Sequence, residues 1–229
     1  MNKKRLKKYF ASAVMFAFSL GAYMAEAAAQ TPVAACGTIP DSGFYYLTNN
    51  LTAAGDCLVV AAGVANVTID LNNFTILGDG TGSGIRGDGV FEGLIVRNGT
   101  IKNFNVGLNL FGNTMLIERV TLIRNTGTGL LAVENVILKD SLITGNDVGL
   151  DVGEGSVLIG NIVSFNASDG MRVSGAGSTI TNNSFRRNGA RGLVVSCPSN
   201  VIGNTATGNP GGNLVLLGGG CNNNNNVAP

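Results

Sequence analysis

One asparagine recurs along the chain at a nearly fixed interval. Asn103, Asn125, Asn146, Asn166, Asn188 and Asn209 are separated by 22, 21, 20, 22 and 21 residues. A second column follows each of them by four or five residues: Leu108, Leu130, Leu150, Met171, Leu193, Leu214. Glycine precedes the first five of these (Gly107, Gly129, Gly149, Gly170, Gly192), and Asn213 precedes the last. A third apolar column runs about eight residues before the asparagines: Ile95, Ile117, Leu138, Leu158, Ile180, Val201. A period in this range is the signature of a solenoid whose units cannot bury their apolar side alone.

The chemistry within one repeat selects the kind of solenoid. Apolar residues alternate with polar ones in short runs, as in Gly149-Leu150-Asp151-Val152, and the runs end on Gly, Asn, Asp or Ser. That is strand periodicity bounded by turn residues. No apolar pattern of 3.6 spacing is long enough for a helix. The predicted fold is all-β: a single-stranded parallel β-helix of seven or eight coils, about 21 residues each, over residues 67–217. Its aliphatic columns would face inward. The asparagine column is expected at a left-handed bend, a conformation asparagine tolerates, with stacked side chains hydrogen-bonding along the axis.

Residues 1–29 read as a segment outside the fold. Lys3, Lys4, Arg5, Lys7 and Lys8 precede an apolar run from Phe10 to Tyr23, and small residues around Ala27 and Ala29 suit cleavage after either. This is the pattern of a secretory signal peptide, placing the protein in the periplasm or outside the cell. Without it the chain carries 10 Lys+Arg against 13 Asp+Glu, a net of −3. No basic excess remains to suggest a nucleic-acid binder. No later run is apolar for long enough to span a membrane. Residues 30–66 read as an N-terminal cap with its first strands, and 218–229 as a polar C-terminal tail, poorly ordered beyond Cys221.

All four cysteines, Cys36, Cys57, Cys197 and Cys221, follow the leader. An even count in an exported chain suggests two disulfides. Proximity favours Cys36–Cys57 and Cys197–Cys221, one at each end, although three connectivities exist. Such staples would close terminal rungs whose strand edges are otherwise open.

The runs Val67-Thr68-Ile69-Asp70-Leu71-Asn72-Asn73-Phe74-Thr75-Ile76 and Gly93-Leu94-Ile95-Val96-Arg97-Asn98-Gly99-Thr100-Ile101, followed by rungs of Asn-x-x-x-Gly-Leu-x-Val, resemble secreted bacterial right-handed β-helix proteins. These form the pectin-lyase-like superfamily, in the branch with the NosD-like periplasmic proteins. The resemblance implies the fold over nearly the whole exported chain. For function it implies a choice among pectate lyases, polygalacturonases, uronate epimerases, tailspikes and members with no activity.

The chain has no histidine, so the His-containing hydrolase and epimerase sites, and any Ser-His or Cys-His nucleophile, fail as written. A lyase using Ca²⁺ is open on composition, but no three acidic residues fall on neighbouring rungs. Asp147, Asp151 and Glu154 match no calcium loop. No cofactor is indicated. Two candidate groups remain. Arg97 with Arg119, and Lys102 with Arg124, are expected in two outward columns on adjacent rungs, a row suited to the carboxylates or sulfates of an acidic polysaccharide. Asp79, Arg86 and Asp88 lie in the glycine-rich segment Gly78 to Gly89, read as a loop, where two carboxylates at the right separation could cleave a glycoside. The leading expectation is a non-catalytic binding or structural module with a carbohydrate ligand. The alternatives are a polysaccharide lyase or hydrolase with an atypical site, and a periplasmic accessory protein of the NosD-like type.

Overall fold

The computed structural model describes residues 30–229; the signal peptide expected over residues 1–29 lies outside them. Every strand pairing is parallel, and the pairing partners are separated by one turn of the solenoid. Thus Leu108 pairs with Leu130, Leu130 with Leu150, Leu150 with Met171, Met171 with Leu193 and Leu193 with Leu214. Each rung passes through three ribbons. The first carries strands such as Val136–Lys139, the second strands such as Leu142–Thr144, and the third strands such as Val148–Val152. The first two ribbons fuse into one sixteen-stranded sheet through the long strands Ile95–Lys102 and Met115–Ile123; the third is a separate nine-stranded sheet. The third ribbon contributes one strand per rung, so there are about nine turns rather than the seven or eight expected. Parallel crossovers of this kind are right-handed.

The extra turns come from the ends. Gln30–Val33 already pairs with Gly43–Leu47, so the first strands expected within residues 30–66 start the stack. The asparagine-rich tail is also a rung: Asn222–Asn224 pairs with Asn200–Ile202, and Val227 bridges Thr205. Polar side chains do not prevent this, because a terminal strand is paid for by backbone hydrogen bonds on one edge. The glycine-rich segment likewise contains a strand, Ser83–Gly87, paired on both sides. The two disulfides are those expected, Cys36–Cys57 and Cys197–Cys221, one near each end.

The interior is an aliphatic stack. Ile117, Leu138, Leu158, Ile180 and Val201 succeed one another, all essentially inaccessible. Ile95 does not join them: Ile117 pairs with Val96, and Ile95 faces outward beside Leu116. The same one-residue offset applies to Asn103. Lys102 pairs with Ile123, which sets Phe104 opposite Asn125, and the Phe104 N–H donates to Asn125 Oδ1 at 3.0 Å. The ladder therefore starts at Asn125, runs through Asn146, Asn166 and Asn188 to Asn209, and is closed by Asn213. Each side-chain amide accepts from the backbone N–H and the Nδ2 of the asparagine on the preceding rung. These asparagines are not left-handed. The residue before each one is: Arg124, Gly145, Phe165, Arg187 and Gly208 all have φ between 52° and 70°. The bend is made there, and the asparagine that follows turns inward to satisfy it.

A second ladder, not anticipated, lines the corner between the first and second ribbons: Ser141, Asn161, Asn183, Asn204 and Asn226. A short serine ladder, Ser156, Ser178 and Ser199, lines the third corner. Buried backbone groups at all three corners thus find partners, as a buried bend requires.

Candidate functional site

Arg97 and Arg119 do not share a column. Arg97 pairs with Glu118, and Arg119 occupies the left-handed bend beyond it, with φ of 51°. The outward column on the first ribbon is therefore Asp70, Arg97, Glu118, Lys139, of alternating charge. Arg97 Nε donates to Asp70 Oδ2 at 2.8 Å, and its guanidinium lies 5.4 Å from the centroid of the Phe44 ring. Glu118, only 7% exposed, accepts from Arg119 Nη2 at 2.6 Å and from Lys139 Nζ at 2.9 Å. The Lys139 hydrogen bond, helped by Arg119, holds the Glu118 carboxyl below the usual range against the opposing effect of burial. Asn98 Nδ2 donates to Asp70, and Asn98 Oδ1 accepts from Arg119 Nε at 2.9 Å. The network stitches four rungs together and engages Nε of Arg97 and Nε and Nη2 of Arg119. Beside it a shallow groove of about 440 Å³ is lined by Arg119, Thr121, Asp140, Leu142 and Ile162.

Asp79 and Asp88 lie on either side of the strand Ser83–Gly87. Five strand residues alone extend on the order of 15 Å, beyond the roughly 5–9.5 Å that separates the carboxylates of glycosidases. Asp79 is fully exposed and accepts from the Thr81 hydroxyl at 2.6 Å and the Thr81 N–H at 3.0 Å. Those bonds, the hydroxyl first, lower its pKa. A general acid needs the opposite displacement. Arg86 stands on the third ribbon between Asp56 and Asp88, at 2.8 and 3.2 Å. The three candidates are thus a cluster of Arg86 with two carboxylates, Asp56 and Asp88, and a separate loop carboxylate.

Lys102 and Arg124 also fall in different columns, since Lys102 pairs with Ile123. Both nevertheless lie on one edge, where the second ribbon turns into the third, on successive rungs. Among the described residues neither forms an ion pair, in contrast to Arg86, Arg97 and Arg119. The seven candidates therefore separate into four places, and of the five candidate cations only Lys102 and Arg124 lack a carboxylate partner among the described residues. The partners that neutralise the others, Asp56, Asp70 and Lys139, were not singled out from the sequence. They sit 21 to 30 residues from the arginines or carboxylate they meet, so only the exact rung register would have revealed them. Among the described residues no group of His, Cys, Asp and Glu is placed to hold a metal ion, and no helix is long and apolar enough to cross a membrane.

Residues 83–228 match the family described as the right handed beta helix region. The chain belongs to that family. Two solved structures of Azotobacter vinelandii are similar in overall coil. One is the A-module of mannuronan C-5 epimerase AlgE6, 14% identical with a TM-score of 0.49, over 84% of this chain and 72% of that one. The other is the A-module of mannuronan C-5 epimerase AlgE4, 17% identical with a TM-score of 0.47, over 82% and 71%. At those scores the likeness carries no argument about residues. No curated protein matches the sequence.

Proposed function

We propose that the protein is an exported, non-catalytic β-helix module that binds an acidic polysaccharide at the edge bearing Lys102 and Arg124. The observation that carries this reading is the contrast between those two cations and the rest of the candidate set. Arg86, Arg97 and Arg119 are engaged by carboxylates, whereas Lys102 and Arg124 face solvent without one. Two cations on successive rungs, about 4.8 Å apart along the axis, suit a polymer that carries anionic groups at intervals. The charge asks for carboxylate or sulfate rather than a neutral sugar. The wide spacing of Asp79 and Asp88, the ionised state of Asp79 and the absence of histidine speak against cleavage. Two disulfides fit an oxidising compartment.

The test is binding to pectate, alginate, a sulfated glycan and neutral xylan, with release of new reducing or unsaturated ends measured in parallel. Binding to the acidic polymers without product is expected, weakening as salt rises. Lys102→Ala/Arg124→Ala should lower affinity about tenfold or more. Arg97→Ala/Arg119→Ala should act chiefly on stability. Product release, or unchanged binding by the Lys102/Arg124 double variant, would overturn the reading.

A further inference from the structure

The edge that carries Lys102 and Arg124 continues. At this corner the outward, left-handed position is filled on successive rungs by Asn103, Arg124, Gly145, Phe165, Arg187 and Gly208, with φ between 52° and 70°. Glycine takes this conformation without steric cost and does so at Gly145 and Gly208; a bulky side chain there is an outlier that costs backbone energy. The corresponding corner between the first and second ribbons has Asn98, Arg119, Asp140, Gly160, Asn182, Gly203 and Asn225, so six of its seven left-handed residues are Asn, Asp or Gly. The bend therefore does not call for arginine or phenylalanine. Arg124, Phe165 and Arg187 adopt a conformation that disfavours them, and all three side chains are exposed, Phe165 to 58%.

Their arrangement is ordered. Arg187 places its guanidinium 5.8 Å from the centroid of the Phe165 ring, and exposed Arg186 precedes it on the same edge. Among the described residues Arg124, Arg186 and Arg187 form no ion pair. Three rungs separate Arg124 from Arg187, about 14 Å, and four separate Lys102 from Arg186, about 19 Å. Between the two cationic groups lie Gly145, which leaves the surface clear, and Phe165. Asp147 accepts from the Ser168 hydroxyl and Asp79 from the Thr81 hydroxyl.

We infer that a linear acidic glycan lies along this edge, parallel to the solenoid axis. Lys102 and Arg124 hold its anionic groups at one end, Arg186 and Arg187 hold them at the other, and a sugar ring rests on the Phe165 face between. The inference rests on the polysaccharide-binding reading above and adds a footprint, a direction and a minimum length. Arginine pairs with carboxylate or sulfate through two parallel N–H donors, and a flat aromatic face accepts the C–H side of a ring.

Left-handed backbone makes a clean test possible. Arg187→Gly and Phe165→Gly install the residue that this corner already uses at Gly145 and Gly208, so the thermal midpoint should hold or rise. Affinity for pectate should nonetheless fall about tenfold in each. In a length series of pectate oligomers, affinity should step up once the oligomer spans Arg124 to Arg187, and the step should vanish in Arg187→Gly. If pectate binds and Lys102→Ala weakens it, while Arg187→Gly and Phe165→Gly leave both affinity and length dependence unchanged, the axial footprint is wrong and the binding reading survives. If the glycine variants unfold, the side chains serve the fold and the inference falls. If the unmodified protein binds none of the acidic polymers, both fall.

Discussion

Asn166 and Asn103 occupy equivalent places in the sequence repeat and very different ones in the molecule. Asn166 is 1% exposed; its Oδ1 accepts from the backbone N–H and Nδ2 of Asn146, and its own two donors reach Asn188 Oδ1. Replacing it by alanine leaves buried donors on the preceding rung without an acceptor, at about 1–3 kcal/mol for each such group. Asn166→Ala should therefore lose about 3 kcal/mol or more in urea unfolding. Asn103 is half-buried, has φ of 59° and takes no part in the ladder. Asn103→Gly should leave the unfolding midpoint nearly unchanged. Equal losses for the two would refute the assignment of the ladder's start at Asn125. The asparagines were legible in the sequence because a ladder demands the same residue on each rung. Where the ladder begins was not, because the end of a ladder is set by what lies across from it, here the apolar ring of Phe104.

Between strands, the clearest device is a carboxylate clamp. Asp169, 1% exposed, precedes the strand Met171–Val173 and binds Arg172 of that strand at 2.6 Å and Arg191, which precedes Leu193–Ser196, at 2.6 Å. Burial pushes this carboxyl up, but the hydrogen bonds from Arg191 and Arg172 outweigh it and hold it at about 2. The folded value lies below the unfolded one of about 3.9. The stabilisation is then complete above about pH 4 and is lost as pH falls through about 2, and it amounts to roughly 2 kcal/mol. Unfolding free energies measured from pH 6 to pH 2 should show this decline in the unmodified protein and a shallower one in Asp169→Asn, the two converging at the acid end. Parallel slopes would mean that the clamp does not differ from an ordinary surface pair. Strands and corners were read correctly where apolar alternation was strong. They were missed at Ser83–Gly87 and Asn222–Asn224, where glycine and asparagine make strands only because a neighbouring rung supplies the template. The candidate site suffered from the same cause. A register error of one residue at Arg97 and Lys102 puts a side chain in the wrong column, and only pairing with Glu118 and Ile123 corrects it.

Over the whole molecule, contacts run almost wholly between neighbouring rungs, the Thr126 hydroxyl to the Gly80 carbonyl two rungs away being an exception, so stability is close to a sum of rung terms and interfaces between rungs. This is why a period sufficed to reveal the architecture, while the alignment of Arg186, Arg187 and Phe165 with Lys102 and Arg124, which needs the relative position of rungs three and four apart, did not emerge from sequence. It also predicts how the fold breaks. The glycine column Gly107, Gly129, Gly149, Gly170 and Gly192 is not there for positive φ, which none of these residues shows. A Cβ on Gly149 would stand 2.2 Å from the Gly170 carbonyl oxygen and 2.9 Å from Asn166 Nδ2. Both belong to the next rung, and the nearer is backbone, so the stack must open. Gly149→Ala should cost about 2 kcal/mol or more, and the cost falls at mid-stack, between two halves that each keep a disulfide-closed end. Loss of one interface there lets the halves unfold separately. The chain has no tryptophan, and its described tyrosines, Tyr45 and Tyr46, lie in the first rungs. Tyrosine fluorescence thus reports the N-terminal half and circular dichroism the whole. In the unmodified protein the two urea curves should coincide; in Gly149→Ala they should separate. Coincident curves at a lowered midpoint would show that cooperativity reaches across a broken interface, and that nearest-neighbour coupling is not what holds the solenoid together.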